Sequence, residues 1–389
     1  MNIGLYIRNF PAEDDYMRDY TNVAFGLAAK GHRVRVLTDR GTSGDVEGIQ
    51  VTTGPAGPTG IRQARHWLHD QHPAPDVIMA VEWWNTLTHV LTKDALVSGI
   101  PVLLAPWASL NPYAIARDWR ALPKRIAIKA ATVFYGRLKP CLQCFDSVDI
   151  QHARDLGLDW PCLLAPLGIY DDYPTSPPGF DWSTHLGTDC SKTRTLFFNA
   201  RLDVWQKGYD LLLAGFRQAM QQADEDFRTI LVLSGKPPPE RNLRGKADLA
   251  QRLAQTLSPS NHVFWKGFLP ADDRSAMMSN CDMFAYPSRV DGPPRPVRES
   301  LWRGTPVMVT RETGFGDWVR KHQAGIVVKQ ISVNAVAKAV LELNASSTAR
   351  IAAMRQGARD CAQRLSWRRC IDDYEAMLSQ TIANGVSGV

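Results

Sequence analysis

Apolar residues come in short, nearly continuous runs, and between many of these runs they recur at intervals of three and four. The first pattern is that of a strand buried on both faces; the second is that of a helix laid against it. Asn2 to Ile7 is one such run, and after a loop Tyr16 to Lys30 carries apolar residues at helical spacing. Gly31 ends that helix and Arg33 to Leu37 resumes a strand, so a parallel pair is expected. Strand runs recur at 49–53, 76–80, 101–105, 147–150 and 162–165, with helical stretches between several of them. The alternation restarts with strands at 195–199, 229–234, 262–265, 282–286, 306–310 and 325–328, and from Val333 onward the pattern is helical.

Between the two series, residues 167–195 hold Pro174, Pro177, Pro178, Gly179 and Gly187 among polar residues, which marks a connection. The pattern therefore predicts an α/β protein of two Rossmann-like, doubly wound domains facing across a cleft. The expected division is an N-terminal domain at 1–168, a C-terminal domain at 169–365, and a last helix at 366–389 packing back towards the first. A chain of 389 residues is long enough for two such cores. Ligands of doubly wound sheets sit beyond the carboxyl ends of the strands.

Composition narrows the function. A net charge of +6 suits anionic partners without choosing one. Of seven cysteines, Cys141 and Cys144 form one CxxC with no second pair, which gives a four-thiolate zinc site no support and reads as reduced thiols. His66, His69 and His72 share one helical stretch with Asp70, at spacings that leave them off a common face, so no metal is assigned. The start MNIGLYIRNF shows no cleavable signal pattern, and no apolar run reaches membrane-spanning length; the expected location is cytoplasmic, with peripheral membrane contact open. Gly54, Gly57 and Gly60 have the wrong spacing for GxGxxG, so a nicotinamide or flavin enzyme is disfavoured. The basic residues form no nucleic-acid-binding module.

Two segments carry candidate chemistry. In LFFNARLDVWQKGYDLLLAGF, Arg201 and Lys207 lie in the loop after a strand and before a helix. Arginine offers a bidentate fork and lysine a point charge, a pair suited to a diphosphate; solvated loop charges are the other reading. In FAYPSRVDGPPRPVRESLWRGTPVMV a strand leads through a Pro- and Gly-rich loop into a short helix, with Pro296 suited to its first position. That loop delivers Asp291, Arg295 and Glu299 around a helix N-terminus, which favours anions. Arg298 reads equally as a solvated helix charge.

These segments resemble glycosyltransferase family 4, a family of retaining enzymes of GT-B fold. NARLDVWQKGYDLL is similar to its GRL…KG segment, and DGPPRPVRESLWRGTPVMV to its E-x7-E element, here Asp291…Glu299. AAKGHRVRVLT, APLGIYDDY, VFWKGFLP and LSWRRCIDDY are further echoes. The resemblance implies that Arg201 and Lys207 neutralise the donor diphosphate, that Glu299 binds the ribose hydroxyls, and that Asp291 contacts the transferred sugar. It also implies donor contacts from Gly292, Arg295, Pro296, Val297, Ser234, Gly235, Gly267 and Phe268. The implied activity is transfer of a sugar from a UDP- or GDP-linked donor to an acceptor hydroxyl in bacterial surface polysaccharide or glycolipid assembly, with no metal and no cofactor beyond the donor.

The chain departs from the family at Asp291, one methylene shorter than glutamate, and at Pro293 and Pro294, which lack the N–H groups that would approach a donor. On the acceptor side Trp107 and Ser109 stand where a histidine is usual; Trp107 reads as a sugar-stacking ring or as a packed aromatic, and Arg18 could face phosphate. Residues 111–139 hold seven Lys and Arg against one acid, Asp118, interleaved with Trp119, Leu122, Ile126, Val133 and Phe134. That stretch suits an anionic membrane surface and a lipid-linked acceptor, or is a solvated helix packed on the sheet. A catalytically silent binding protein on this fold, a sugar phosphorylase and a nucleotide-sugar epimerase are the alternatives at this point.

Overall fold

The structure, a computed structural model, describes residues 1–12, 15–54, 58–69, 73–116, 119–173, 179–201, 203–235 and 262–386. Gly57, Asp70, His72, Arg117, Asp118, Pro174, Pro177 and Pro178 lie outside these. The chain forms two compact units, one of residues 1–168 with 367–389, the other of residues 169–366.

The first unit is built on β1 (Asn2–Tyr6), β2 (Arg33–Thr38), β3 (Gly44–Val46), β4 (Ile49–Thr53), β5 (Val77–Val81), β6 (Val102–Ala105), β7 (Cys141–Cys144) and β8 (Cys162–Leu164). Their order across the sheet is β3-β4-β2-β1-β5-β6-β7-β8, parallel except for the β3–β4 edge hairpin. Side chains alternate between two cores: Ile3, Leu5, Val77 and Met79 on one face, Tyr6, Ile78 and Ala80 on the other. Burial of both faces explains why the central strands β5 and β6 are apolar throughout. Its helices are α1 (Asp15–Ala29), α2 (Pro58–His69), α3 (Thr86–Val97), α4 (Pro112–Ala116), α5 (Ala121–Tyr135) and α6 (Ser147–Asp155).

Residues 147–150, expected as a strand, are the first turn of α6. Asp146 caps that helix, its carboxylate accepting from the N–H groups of Val148 and Asp149. The strand is the preceding CxxC run, whose thiols are buried between β6 and β8. The cap outweighs the apolar character of Val148 and Ile150.

The second unit has α7 (Trp182–Leu186), β9 (Arg194–Asn199), α8 (Tyr209–Ala223), β10 (Thr229–Ser234), β11 (Val263–Trp265), α9 (Ala271–Asn280), β12 (Met283–Tyr286), α10 (Arg295–Trp302), β13 (Val307–Thr310), α11 (Gly316–His322), β14 (Gly325–Val328), α12 (Val333–Asn344) and α13 (Thr348–Arg364). Its sheet, of order β11-β10-β9-β12-β13-β14, is parallel throughout. The last helix, α14 (Trp367–Val386), belongs to the first unit. There the Tyr374 hydroxyl accepts from Gln143 at 2.6 Å, and Lys30, just after α1, is paired with Asp372 and Glu375. Gly168 lies against the Trp367 ring, where a Cβ would stand 2.2 Å from the indole.

Candidate functional site

In the second sheet β9 has β10 on one side and β12 on the other, so chain order reverses between β9 and β12. A crevice opens at the carboxyl ends of strands on either side of such a switch point. Two loops border it, 200–208 after β9 and 287–294 after β12. Gly208 is what lets them approach: its φ is +72°, and a Cβ there would lie 2.0 Å from the carbonyl oxygen of Pro287. Arg289 then locks them. Its guanidinium grips both oxygens of Asp210 at 2.7 Å and donates to the Trp205 carbonyl at 2.7 Å. Gln206 donates to the Val290 carbonyl at 3.1 Å, and Ser288 Oγ to the Gln206 carbonyl at 2.8 Å.

This bracing brings Lys207 and Asp291 together. Lys207 Nζ lies 2.5 Å from Asp291 Oδ2, and the same oxygen accepts from the Tyr286 hydroxyl at 2.9 Å. The ammonium also sits 5.3 Å from the centre of the Tyr286 ring. Burial drives the Tyr286 hydroxyl pKa far above its ordinary value, the Asp291 charge adds to the rise, and Arg201 opposes it. Tyr286 is therefore a fixed proton donor to Asp291, and Arg201 is close enough for its charge to be felt there. Arg201 itself is exposed.

Three prolines thin out the N-terminus of α10. Pro293, Pro294 and Pro296 have no N–H, and the N–H groups of Val297 and Arg298 turn back to the Pro294 carbonyl at 3.1 Å. Pro296 stands at the second helical position, one residue later than expected, because the helix starts at Arg295. The N–H groups that this end could offer an anion are thus those of Gly292 and Arg295. Glu299 is buried on α10 and its Oε1 accepts from Arg303 at 2.9 Å. Arg303 is fixed in turn by Ser275 and Ser279, at 2.9 and 3.2 Å. Arg298, with a solvated charge as one reading, is instead 4% exposed, its guanidinium 5.4 Å from the centre of the Tyr170 ring. Arg295 is exposed above Tyr173.

The neighbouring strand ends complete the edge. Ser234 Oγ accepts from Asn199 at 2.5 Å, and the Ser234 carbonyl accepts from the Tyr209 hydroxyl at 2.9 Å. Gly235 N–H donates to the Gly267 carbonyl at 3.0 Å, and Phe268 beside it is 64% exposed. The structure thus gathers Arg201, Lys207, Ser234, Gly235, Gly267, Phe268, Asp291, Gly292, Arg295, Pro296, Val297 and Glu299 on the carboxyl side of one sheet. Tyr286, Ser288, the Arg289–Asp210 pair and Arg303 were missed in the sequence. The signal for them was faint: a Tyr ending a strand and an Arg two residues before the acid.

Arg18, Trp107 and Ser109 belong to the first unit. Arg18 lies on α1, and Trp107 and Ser109 lie in a short 3-10 turn after β6. Trp107 packs edge-on against Phe145 and Tyr20, with centroids 5.2 and 6.0 Å apart, in a left-handed conformation of φ +56°. Glu82, after β5, is left-handed too and pairs with Arg8 at 3.1 Å. Two such residues at adjacent strand ends mark stored backbone strain. Among the described residues no group of three or more His, Cys, Asp or Glu side chains could hold a metal ion, and no helix is long and apolar enough to cross a membrane.

A braced, cation-bearing crevice at a parallel-sheet switch point is the architecture of nucleotide-handling α/β domains. Residues 189–360, within the second unit, match the family described as "Glycosyl transferases group 1". The chain is 29% identical over 147 residues to a GDP-mannose-dependent alpha-(1-6)-phosphatidylinositol monomannoside mannosyltransferase of Mycobacterium tuberculosis. That alignment covers 36% of each chain, so the match spans little more than a third of the relative's length. Among solved structures, sucrose-phosphate synthase from Thermosynechococcus elongatus superposes with a TM-score of 0.67 at 18% identity, covering 98% of this chain and 99% of that one. Anabaena HepE in complex with UDP gives 0.68 at 16% identity, covering 98% and 100%. These likenesses establish the GT-B fold of two parallel-sheet α/β domains.

Proposed function

We propose that the protein is a glycosyltransferase that takes a sugar from a nucleotide-diphosphate donor and passes it to an acceptor hydroxyl. The observation that carries this reading is the convergence of Arg201, Lys207, Asp291 and Glu299 around the β9–β12 switch point, inside the segment that matches the group 1 family. Arg201 and Lys207 would neutralise the diphosphate as negative charge develops on the leaving group. Glu299, with Oε1 held by Arg303, would offer Oε2 to the ribose hydroxyls. Asp291, oriented by Tyr286, would accept from a hydroxyl of the transferred sugar.

In this reading the reaction retains anomeric configuration and needs no metal. The curated relative supports a GDP-linked donor and a lipid acceptor, and the HepE complex keeps UDP in contention. The expected setting is bacterial surface glycan or glycolipid assembly, with the protein cytoplasmic and resting on anionic lipid through 111–139. A second reading, nucleotide binding without turnover, draws on the prolines before α10 and on the Lys207–Asp291 pair, which the diphosphate must open.

The test is nucleotide release from a panel of UDP-, GDP- and ADP-sugars. Turnover of one donor class supports transfer. Silence on every donor, with nucleotide still bound, supports the second reading, and absence of both binding and release overturns the assignment.

A further inference from the structure

Helix α5 of the first unit is apolar on the wrong side. Only Ile128 and Tyr135 of its fifteen residues are buried. On the opposite side Leu122, Ile126 and Val133 are 67%, 58% and 82% exposed. At 100° per residue these three fall within about 40° of arc, a continuous outer stripe. Arg125 and Lys129 flank the stripe on one side; Ala127, Ala130 and Phe134 flank it on the other. From Trp119 to Phe145 the chain carries six Lys and Arg and no acid.

The alanine flank borders a cavity of about 440 Å³ between α5 and residues 83–90, lined by Trp83, Trp84, His89, Val90, Ala130 and Phe134 among others. Sites for small ligands run from about 300 to 1,000 Å³. Two of its polar side chains, His89 and Asn85, are already engaged with the protein. The Trp83 carbonyl can only accept, so His89 Nε2 donates to it at 2.7 Å, and His89 Nδ1 accepts from the Tyr135 hydroxyl at 2.8 Å. Burial lowers the His89 pKa and keeps the ring neutral. Asn85 accepts from the Leu87 N–H at 2.9 Å and donates to the Tyr6 hydroxyl at 2.8 Å. A sugar or a nucleotide would be poorly served by these walls, whereas a hydrocarbon chain needs no partner.

We propose that this cavity takes one acyl chain of an anionic membrane lipid, while the Leu122–Ile126–Val133 stripe enters the bilayer surface and Arg125 and Lys129 meet the headgroups. The stripe and the alanine wall of the cavity lie side by side on one helix. The basic flank without acids selects a negative headgroup and disfavours a cationic partner. The link to glycosyl transfer, as a place for the tail of a lipid-linked acceptor, rests on the reading above; lipid binding itself does not.

The test uses the full chain and dioctanoylphosphatidylglycerol below its micelle threshold, read by native mass spectrometry and by calorimetry. One saturable site is expected, with weaker binding of the phosphatidylcholine analogue. Ala130→Phe, which fills the cavity from an exposed helical position, should weaken binding by about tenfold or more. Ala127→Phe is a second filling variant. Circular dichroism and nucleotide binding report that each variant is folded. Lipid binding that is absent, unsaturable, or unchanged in both variants overturns the proposal, as does a concentration-dependent dimer through α5 without lipid binding. If lipid binds with these properties while no donor is turned over, the transferase reading fails and this one stands.

Discussion

The carboxyl edges of the two sheets are built on the same plan and filled with opposite chemistry. In the second unit the edge holds Lys207, Arg201, Asp291 and Glu299, cross-braced by the bidentate Arg289–Asp210 pair. In the first unit the edge holds Trp83, Trp107, a neutral His89 and the Arg8–Glu82 pair, with Glu82 and Trp107 in strained backbone. Topology alone therefore does not say what a crevice binds. Pre-positioned charge suits the second edge to phosphate and hydroxyls, and packed aromatic rings suit the first to apolar or stacked ligands.

The largest effect expected is that of Lys207→Ala, which removes a cation from the developing charge and leaves Asp291 without its paired ammonium. Donor turnover should fall by about 10²–10³-fold in a nucleotide-release assay. A loss under threefold would break the contrast between the edges. Glu299→Ala removes the carboxylate from the buried Arg303 guanidinium, so thermal or urea unfolding should show a loss of about 3–5 kcal/mol. Glu299→Gln, which keeps the shape, should retain more stability and still lower donor affinity.

Gly208→Ala tests the bracing. The added Cβ meets the Pro287 carbonyl and demands a strained φ, so about 1–3 kcal/mol of stability should be lost, with weaker nucleotide binding. Arg295→Ala, an exposed side chain, should weaken nucleotide binding by only about fivefold, worth roughly 1 kcal/mol.

The smallest effect belongs to the first edge. Burial holds the His89 pKa below its ordinary 6.5. The unfolded chain takes up the proton first as the medium becomes acidic. The contribution of neutral His89 is thus complete above 6.5 and is lost as pH falls through that value. Urea midpoints of wild type and His89→Gln, followed from about pH 7.5 to 5.5, should converge towards the acid end. Curves that stay parallel would show that His89 is not held neutral.

Much of this was legible in the sequence, because buried parallel strands announce themselves as apolar runs. The antiparallel edge strand β3 was not, since its three residues are exposed or half-buried and follow no apolar pattern. Residues 147–150 misled because a local capping bond at Asp146 overrode their apolar character. Arg201, Lys207, Asp291 and Glu299 were legible as candidates by residue type and place within two segments, their separate roles being implied by the family resemblance. Tyr286 had no such mark: its role appears only when its hydroxyl meets Asp291 beyond the end of β12. Arg289 and Asp210 are 79 residues apart, and Lys207 and Asp291 are 84 apart, so those pairings exist only once the loops meet at the switch point.

The central claim is that the β9–β12 crevice binds a nucleoside diphosphate through Arg201 and Lys207. Calorimetric titration of GDP and UDP into wild type and into the Arg201→Ala/Lys207→Ala double variant tests it most directly. Saturable binding of at least one of them, weakened by about 100-fold or more in the double variant at unchanged fold, is the predicted result. Equal affinity in the two proteins, or no binding of either nucleotide to wild type, would contradict the account.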